Sequence, residues 1–415
     1  MLFGIDMTKM NIFMKVSYEK SYSIKIGFCL LGMAHPLEKK LKDCGDSSVC
    51  KYSKFEVIKE VLEKVVTSQI PFEKSVLNVQ GAYYNDHGKE HFERIENNYS
   101  KMIEESGIEL SCCEIYLALL SIWFHDIGLW LGRKEDESPE DARNHHHARV
   151  KDVIEKLVEK GQISKMDNSE ETLLVSICAG HSRKIDLESI AKESSLNGEG
   201  IKSRLLSAIL RIADSLDIDH RRAPETIFEL FDDVIPEKSR EHWEKHTFVN
   251  AVEFNRTYAS IDIVTTFGQR LEELIEQYKL VHWVQEEIKN ELQSVKSIFD
   301  DYRMPFSHVQ LKDYASGMYI KSDIEPSGIV RIECDEDHLD SKTLLELSEL
   351  FKVHTGELKV YIEIILNKGG RITIPLPIQY NVTSSETLEE SIKKICNPLL
   401  IDVKVDPTSV RVIKK

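Results

Sequence analysis

The sequence has no CxxC pair and, in its helical part, no glycine-rich phosphate-binding loop. Its eight cysteines lack the paired spacing of a zinc knuckle, and several lie in apolar helical runs. We therefore expect reduced thiols in a cytosolic compartment rather than disulfides. Internal repeats and low-complexity segments are also missing. These absences leave imidazole and carboxylate groups as the candidates for metal-binding chemistry.

The sequence has fewer basic than acidic residues: 54 lysines and arginines against 70 aspartates and glutamates, which gives a net charge of −16. That balance disfavours nonspecific wrapping of duplex nucleic acid, but it leaves room for a local basic or metal-lined pocket. The apolar run at 24–34 is too short to span a bilayer and lies late for a signal peptide. We expect a soluble, cytoplasmic protein with no membrane partner.

A chain of 415 residues is too long for one ordinary core, and its 41% hydrophobic residues suffice for two or three domains. Helical stripes dominate the first half, whereas alternating and β-branched runs appear beyond Pro224. The sequence predicts a mainly α fold with a β-hairpin addition and a small C-terminal α+β domain. The predicted parts are a loosely defined leader (1–54), a helical domain (55–225), a hairpin and long helix extending it (226–301), a linker (302–327) and the small α+β domain (328–415).

An adjacent imidazole and carboxylate, His125 and Asp126, interrupt the most hydrophobic predicted helix, at 109–132. Burying both groups is costly unless they are paired, hydrogen-bonded or metal-bound. Neighbouring residues of a helix lie about 100° apart, so the two can flank one groove and hold a metal beside the helix. A carboxylate has two oxygens, and Asp126 is therefore the natural bridging ligand of a two-metal site. Further groups that suit first-row divalent metals occur at His91, His145 to His147, His181 and Asp214.

The order H…HD…H…H…D resembles the HD-domain superfamily of metal-dependent phosphohydrolases, whose helical bundle the chain is then expected to share. The resemblance covers about 80–300. It is closest to the HD subgroup associated with histidine-kinase-like ATPases in bacterial conflict systems, which shares the Ile-Asp-His-Arg-Arg continuation at 218–222. The matching phrases are DHGKEH at 86–91, FHDIG at 124–128, NHHHAR at 144–149, AGH at 179–181 and LRIADSLD at 210–217.

The resemblance implies a set of metal ligands. A single ion would be held by His91, His125, Asp126 and Asp214, with His125 and Asp126 at the catalytic centre. A second ion would add His146 and His181. Among the three consecutive histidines the spacing to Val150 favours His146, with His147 next. One or two divalent ions (Mn, Mg, Fe, Ni or Zn) are expected, which activate a water for attack on phosphorus.

Basic residues near these phrases are candidates for binding substrate phosphate. Arg221 and Arg222 offer planar forks to phosphate oxygens, and His220 adjoins them, although a solvated helix end is the alternative interpretation. Arg183 and Lys184 follow His181 and are similar candidates.

The sequence is compatible with three functions. The leading hypothesis is a phosphohydrolase acting on a nucleotide or a related small phosphoester. The second is an HD-type nuclease for single-stranded nucleic acid, against which the acidic balance and the lack of an aromatic-basic stripe count. The third is a noncatalytic, nucleotide-sensing module of a defence system. The C-terminal domain and the helix at 272–301 are the expected places for self-association or a protein partner.

Overall fold

The computed structural model of the chain describes most residues from 36 onward, and all of these belong to one compact unit, 35–415. The expected mainly α fold is confirmed, and the described residues form three small sheets beside the helices. Of the predicted leader (1–54), residues 1–35 and 46–49 lie outside the described residues. The described ranges are 36–45, 50–68, 88–132, 137–223, 235, 237–268, 270–315, 317, 319–320, 329–335, 339–367, 369–383, 385–396 and 404–405.

The first half of the described chain is helical. Its elements are α1 (Pro36–Asp43), α2 (Tyr52–Ser68), α3 (Lys89–Ser106), α4 (Cys112–Phe124), α5 (Pro139–His145), α6 (Val150–Glu159), α7 (Asn168–Ala179), the short hairpin β1 (Ser194–Leu196) and β2 (Glu199–Ile201), α8 (Ser203–Ser215) and α9 (Glu237–Thr247).

Helix α4 is the centre of the bundle. It begins at a capping box, in which Ser111 Oγ accepts from the Glu114 amide and the Glu114 carboxylate accepts from the Ser111 amide. Every side chain from Cys113 to Phe124 is buried, as expected for a helix that is apolar all round. The segment Cys112–Leu129 is long and apolar enough to cross a membrane, but 94% of it is buried inside the protein.

The prediction that this helix continues to residue 132 is wrong. Helix α4 ends at Phe124, and a 3₁₀ turn follows at Ile127–Leu129. His125 and Asp126 therefore lie at the junction of the two rather than on the side of a continuous helix. The apolar run could not reveal this end, because the residues beyond it are as buried as those within it.

The expectation of reduced thiols is wrong for four cysteines. Cys44 is bonded to Cys112 and Cys50 to Cys113, with Cα atoms 6.1 and 5.1 Å apart. The pairs depend on the packing of α1 and α2 against the start of α4, which sequence spacing does not reveal. Cys178, Cys334 and Cys396 are buried thiols, as expected, and Cys29 lies outside the described residues.

A second layer of mixed structure follows the bundle. It comprises β3 (Val249–Asn255), β4 (Ser260–Thr265), the long helix α10 (Leu271–Tyr302), β5 (His308–Asp313) and β6 (Tyr319–Ile320), with sheet order β3-β4-β5-β6. The predicted hairpin forms between β3 and β4. The segment 302–327, expected as a linker, contributes β5, which pairs parallel to β4 and buries Val309 and Leu311. Its proline and glycine residues obscured that short strand.

The C-terminal part forms the predicted α+β arrangement. Its elements are β7 (Ile329–Asp335), α11 (Ser341–Val353), β8 (Thr355–Ile365), β9 (Arg371–Pro375), α12 (Glu386–Ile395) and β10 (Lys404–Val405), with sheet order β10-β7-β8-β9. Leu271, Leu274 and Ile275 of α10 belong to this core, whereas Val281 to Phe299 of the same helix belong to the bundle core. One helix is thus shared between two hydrophobic cores. The strand predicted near 410–413 lies outside the described residues.

Glu96 of α3 is a buried carboxylate within the bundle. The nearby cation Lys59 is bonded to Glu38 and lies 4.9 Å from the centre of the Trp123 ring. Burial and the Glu38 carboxylate raise the pKa of Glu96 to about 8, against an ordinary value of 4.5. Glu96 is therefore expected to carry a proton at neutral pH, which avoids burying a second charge beside Glu38.

We expect Glu96→Gln to stabilise the protein increasingly between pH 5 and pH 8. In that window the folded chain retains a proton that the unfolded chain releases, so the free energy of unfolding of the unmodified chain falls as pH rises. Glutamine keeps the shape without titrating, and the gain at pH 8 should be about 4 kcal/mol, from the difference between a pKa of 4.5 and one of about 8. Urea unfolding at several pH values measures it. The exposed Glu105→Gln on the same helix is the control, and a pH-independent difference would contradict the assignment.

Differential alkylation tests the disulfides. Without reductant, unfolding should expose only Cys178, Cys334 and Cys396 among the described cysteines, because the other four are bonded. Unfolding with reductant should add those four. Peptide mapping by mass spectrometry distinguishes the two outcomes. Alkylation of Cys112 or Cys113 in the unreduced, unfolded protein would show that the pairs do not form.

Candidate metal centre

The centre is built where α4 ends. The His125 amide still donates to the Ser121 carbonyl (2.9 Å), and Asp126 then begins the 3₁₀ turn. Gly128 in that turn faces the His146 carbonyl so closely that a Cβ atom there would lie 2.2 Å from its oxygen. Only glycine allows this approach of the two backbones. The turn therefore brings the segment that carries His146 against Asp126.

The remaining groups come from four other places in the bundle. His91 lies in the first turn of α3, and Asp214 lies in the last turn of α8. His146 begins the 3₁₀ turn His146–Arg149 after α5, and His181 follows the end of α7. The bundle thus places residues that are distant in the chain around one carboxylate.

The two oxygens of Asp126 face two different groups of ligand atoms. Oδ2 lies 3.5 Å from His91 Nε2 and 3.6 Å from His125 Nε2. Asp214 Oδ1 completes that group, at 3.6 Å from the same His91 atom and 3.9 Å from the same His125 atom.

On the other side, Asp126 Oδ1 lies 3.1 Å from His146 Nε2 and 3.6 Å from His181 Nε2. Each side is compact enough to hold a metal ion: the ligand atoms of His91, His125 and Asp214 lie within 4.8 Å of one another, and so do those of Asp126, His146 and His181. The carboxylate of Asp126 lies between two such positions.

The hydrogen bonds of the histidines orient their Nε2 atoms toward these positions. His125 Nδ1 pairs with the Ile122 carbonyl (2.8 Å), His146 Nδ1 with the Arg143 carbonyl (2.6 Å) and His181 Nδ1 with the Cys178 carbonyl. A carbonyl accepts, so Nδ1 must carry the proton and, in a neutral ring, Nε2 carries the lone pair.

Two observations show that a cation fits this arrangement. Nε2 of His125 is buried and has no hydrogen-bond partner among the described residues. Nε2 of His146 and Nε2 of His181 lie 2.8 Å apart, and two lone pairs cannot form a hydrogen bond without a proton between them. Imidazole nitrogens and carboxylate oxygens in this combination are ligands for first-row divalent metals.

The charges within the cluster also favour a bound cation. Burial lowers the pKa of His91, but its bonds to Asp126 and Asp217 outweigh burial and raise it to about 9. The pKa of His181 falls to about 3, because it is buried and lies near His125 and His146. The carboxylates thus favour positive charge, while burial and mutual repulsion prevent every imidazole from supplying it. A divalent cation satisfies both constraints.

The structure distinguishes the three consecutive histidines. His146 reaches Asp126, whereas His145 is exposed and its Nδ1 pairs with the Asp141 carbonyl (2.8 Å). His147 is buried but belongs to neither ligand group. Burial and the neighbouring His146 lower the pKa of His147 to about 4, which keeps this ring neutral.

Asp217 and Arg94 were missed by the sequence interpretation. Asp217 Oδ2 accepts from His91 Nδ1 (2.6 Å), and the Arg94 guanidinium binds the same carboxylate through Nε (2.5 Å) and Nη2 (3.0 Å). Burial opposes ionisation of Asp217, but the bond to His91 and the charges of Arg222 and Arg94 hold its pKa well below its usual range. A signal was present, since Asp217 follows Asp214 by three residues, about one helical turn.

The structure places the predicted phosphate-binding residues in different surroundings. Arg222 lies behind the centre, where its Nη1 donates to the Asp217 carbonyl (2.6 Å). Arg183 is paired with Glu291, and Arg221 is paired with Asp219. His220 and Lys184 are exposed, and the charge of Lys184 contributes to the lowered pKa of His147.

No curated protein and no solved structure matches the chain. A family model described as HD-CE matches residues 82–290, half of the chain's length. The ligand atoms of both positions lie within the matched residues, on His91, His125, Asp126, His146, His181 and Asp214. The chain therefore belongs to the HD-CE family, and its candidate metal centre lies in an HD-type domain.

Proposed function

We propose that this protein is a metal-dependent phosphohydrolase that cleaves a phosphoester or phosphoanhydride bond of a nucleotide or a related small molecule. The observation that carries the proposal is the carboxylate of Asp126, with each oxygen directed at a separate group of imidazole and carboxylate ligands. Sites with two adjacent divalent cations are typical of enzymes that hydrolyse phosphate esters.

Each ion has a defined set of residues to hold it. His91, His125, Asp214 and one oxygen of Asp126 would bind the first, and His146, His181 and the other oxygen of Asp126 would bind the second. Bound divalent cations would supply activation of a water and neutralisation of charge on the phosphoryl oxygens.

The chain's own side chains define how a substrate enters. The Asp214 side chain is 25% exposed, whereas those of His91 and His125 are fully buried. A phosphate group therefore approaches from the side of Asp214. Lys184 is an exposed cation near His147 and is suited to meet an anionic substrate. Arg183 and Arg221 would have to leave Glu291 and Asp219 to do so.

The finer family assignment is part of this proposal. We propose that the domain belongs to the HD subgroup that works with histidine-kinase-like ATPases in bacterial conflict systems, on the basis of the continuation at 218–222. The contact of Arg222 with Asp217 supports a role for that continuation beside the metal centre.

Phosphate release tests the function. Purified protein supplied with Mn, Mg or Ni should hydrolyse one or more members of a panel of nucleoside mono-, di- and triphosphates, cyclic nucleotides and alarmones, with release of phosphate or pyrophosphate or, for a cyclic nucleotide, of the ring-opened monophosphate, each detected by chromatography. Asp126→Ala should reduce release to background, because both ions lose a ligand. Asp152→Ala, an exposed carboxylate of α6, should retain it. Cleavage of single-stranded DNA alone would instead favour a nuclease, and firm metal binding without turnover a sensing module.

Metal content tests the two positions separately. His146→Ala should lower the number of bound ions per chain by about one, since it removes a ligand of the second position only. His145→Ala should leave the number unchanged, because that side chain is exposed and bonded to the Asp141 carbonyl. Plasma mass spectrometry after dialysis gives the count. Equal loss in both variants would contradict the assignment of His146.

A further inference from the structure

Asp217 is a buried carboxylate whose hydrogen bond to the described residues of the metal centre is made to His91. Its Oδ2 accepts from His91 Nδ1 at 2.6 Å, and His91 Nε2 on the opposite side of the ring faces Asp126 and Asp214. The imidazole thus connects a carboxylate outside the centre with the position of the first ion.

This support differs from that of the other histidines of the cluster. Nδ1 of His125, Nδ1 of His146 and Nδ1 of His181 each bond to a main-chain carbonyl three residues earlier in the chain. Those bonds are neutral and local. Among these four rings, His91 is the one whose Nδ1 is held by a carboxylate side chain, 126 residues away in the sequence.

Asp217 is itself fixed on several sides. Arg94, one turn after His91 on α3, binds it with two nitrogens, and this bidentate geometry permits one orientation of the carboxylate. Arg222 binds the main-chain carbonyl of the same residue. A fixed carboxylate in turn fixes the ring plane of His91 and its tautomer, so that the lone pair of Nε2 points into the cluster.

We propose that Asp217, clamped by Arg94, is a positioning residue that orients His91 and increases its strength as a ligand for the first divalent ion. The negative charge behind the ring makes Nε2 a better electron-pair donor, and the fixed plane removes the need to order the ring on binding. The inference rests on the proposed function only for the presence of a divalent ion at this position. It assigns Asp217 no contact with substrate.

Mn²⁺ binding to the full chain, measured by equilibrium dialysis or electron paramagnetic resonance without substrate, tests the proposal. Asp217→Asn should raise the Kd of one ion by about 10- to 100-fold. The matched control is Asp219→Asn, because Asp219 is also a buried aspartate paired with an arginine but does not touch a histidine of the cluster. Its Mn²⁺ affinity should be unchanged.

A double-mutant cycle separates positioning from general structural support. If Asp217 acts through His91, Asp217→Asn should have no further effect on Mn²⁺ affinity in a His91→Ala background. An equal effect with and without His91 would overturn the proposal, and so would an unchanged Kd in Asp217→Asn.

Two further comparisons keep the test decisive. Thermal unfolding in the presence of a chelator shows whether each variant is folded. If Asp217→Asn does not fold, Arg94→Lys, which keeps the charge but loses the bidentate contact, should still weaken Mn²⁺ binding several-fold, and an unchanged affinity would overturn the proposal. Because no substrate is present, a failure of the unmodified protein to release phosphate would overturn the proposed function without affecting this result.

Discussion

The cost of burying the Asp126 carboxylate is the constraint on which the centre depends. An ionised carboxylate that is only 5% exposed must be compensated by opposite charge or by hydrogen-bond donors. The bundle surrounds it with imidazoles whose Nδ1 atoms are already committed, so their Nε2 atoms offer lone pairs rather than donors. Such an arrangement is satisfied by protons on some of the rings or by cations between them. The placement of both Asp126 oxygens opposite ligand atoms makes cations the better solution.

The fold compensates the buried Asp126 carboxylate with residues that lie at the ends of helices rather than on their faces. His125 and Asp126 follow the last residue of α4, His181 follows α7, and His146 begins a 3₁₀ turn. Residues at helix ends can direct side chains along the axis as well as away from it, and their neighbouring carbonyls are free to accept from Nδ1. The close approach at Gly128 is what allows two of these ends to meet. A continuous helix through Asp126 would not permit that junction.

Much of the centre could be predicted because the types and order of its residues can be read from the sequence, although the distances between them cannot. The order of histidines and aspartates indicated which groups would meet, and the burial of His125 beside Asp126 required that something compensate them. The boundary of α4 could not be predicted, since no proline directly follows Phe124 and the polar pair His125 and Asp126 is as buried as the apolar residues on either side. The roles of Cys112 and Asp217 depend on distances between helices. The strand at 308–313 was hidden because its partner, β4, lies more than 40 residues earlier in the chain.

The bundle contains a second buried carboxylate that illustrates the alternative solution. Glu96 lies on α3, as does His91, but no histidine of the described residues is among the causes of its pKa shift, and the cation Lys59 that acts on it is engaged by Glu38. Its pKa rises to about 8, so a proton neutralises it. Asp214, by contrast, is half-buried among histidines, and their charges hold its pKa below its ordinary value despite the opposing effects of burial and Asp126. Two carboxylates of one bundle thus offset the cost of desolvation differently. Only the one that remains ionised keeps an oxygen available to a metal ion.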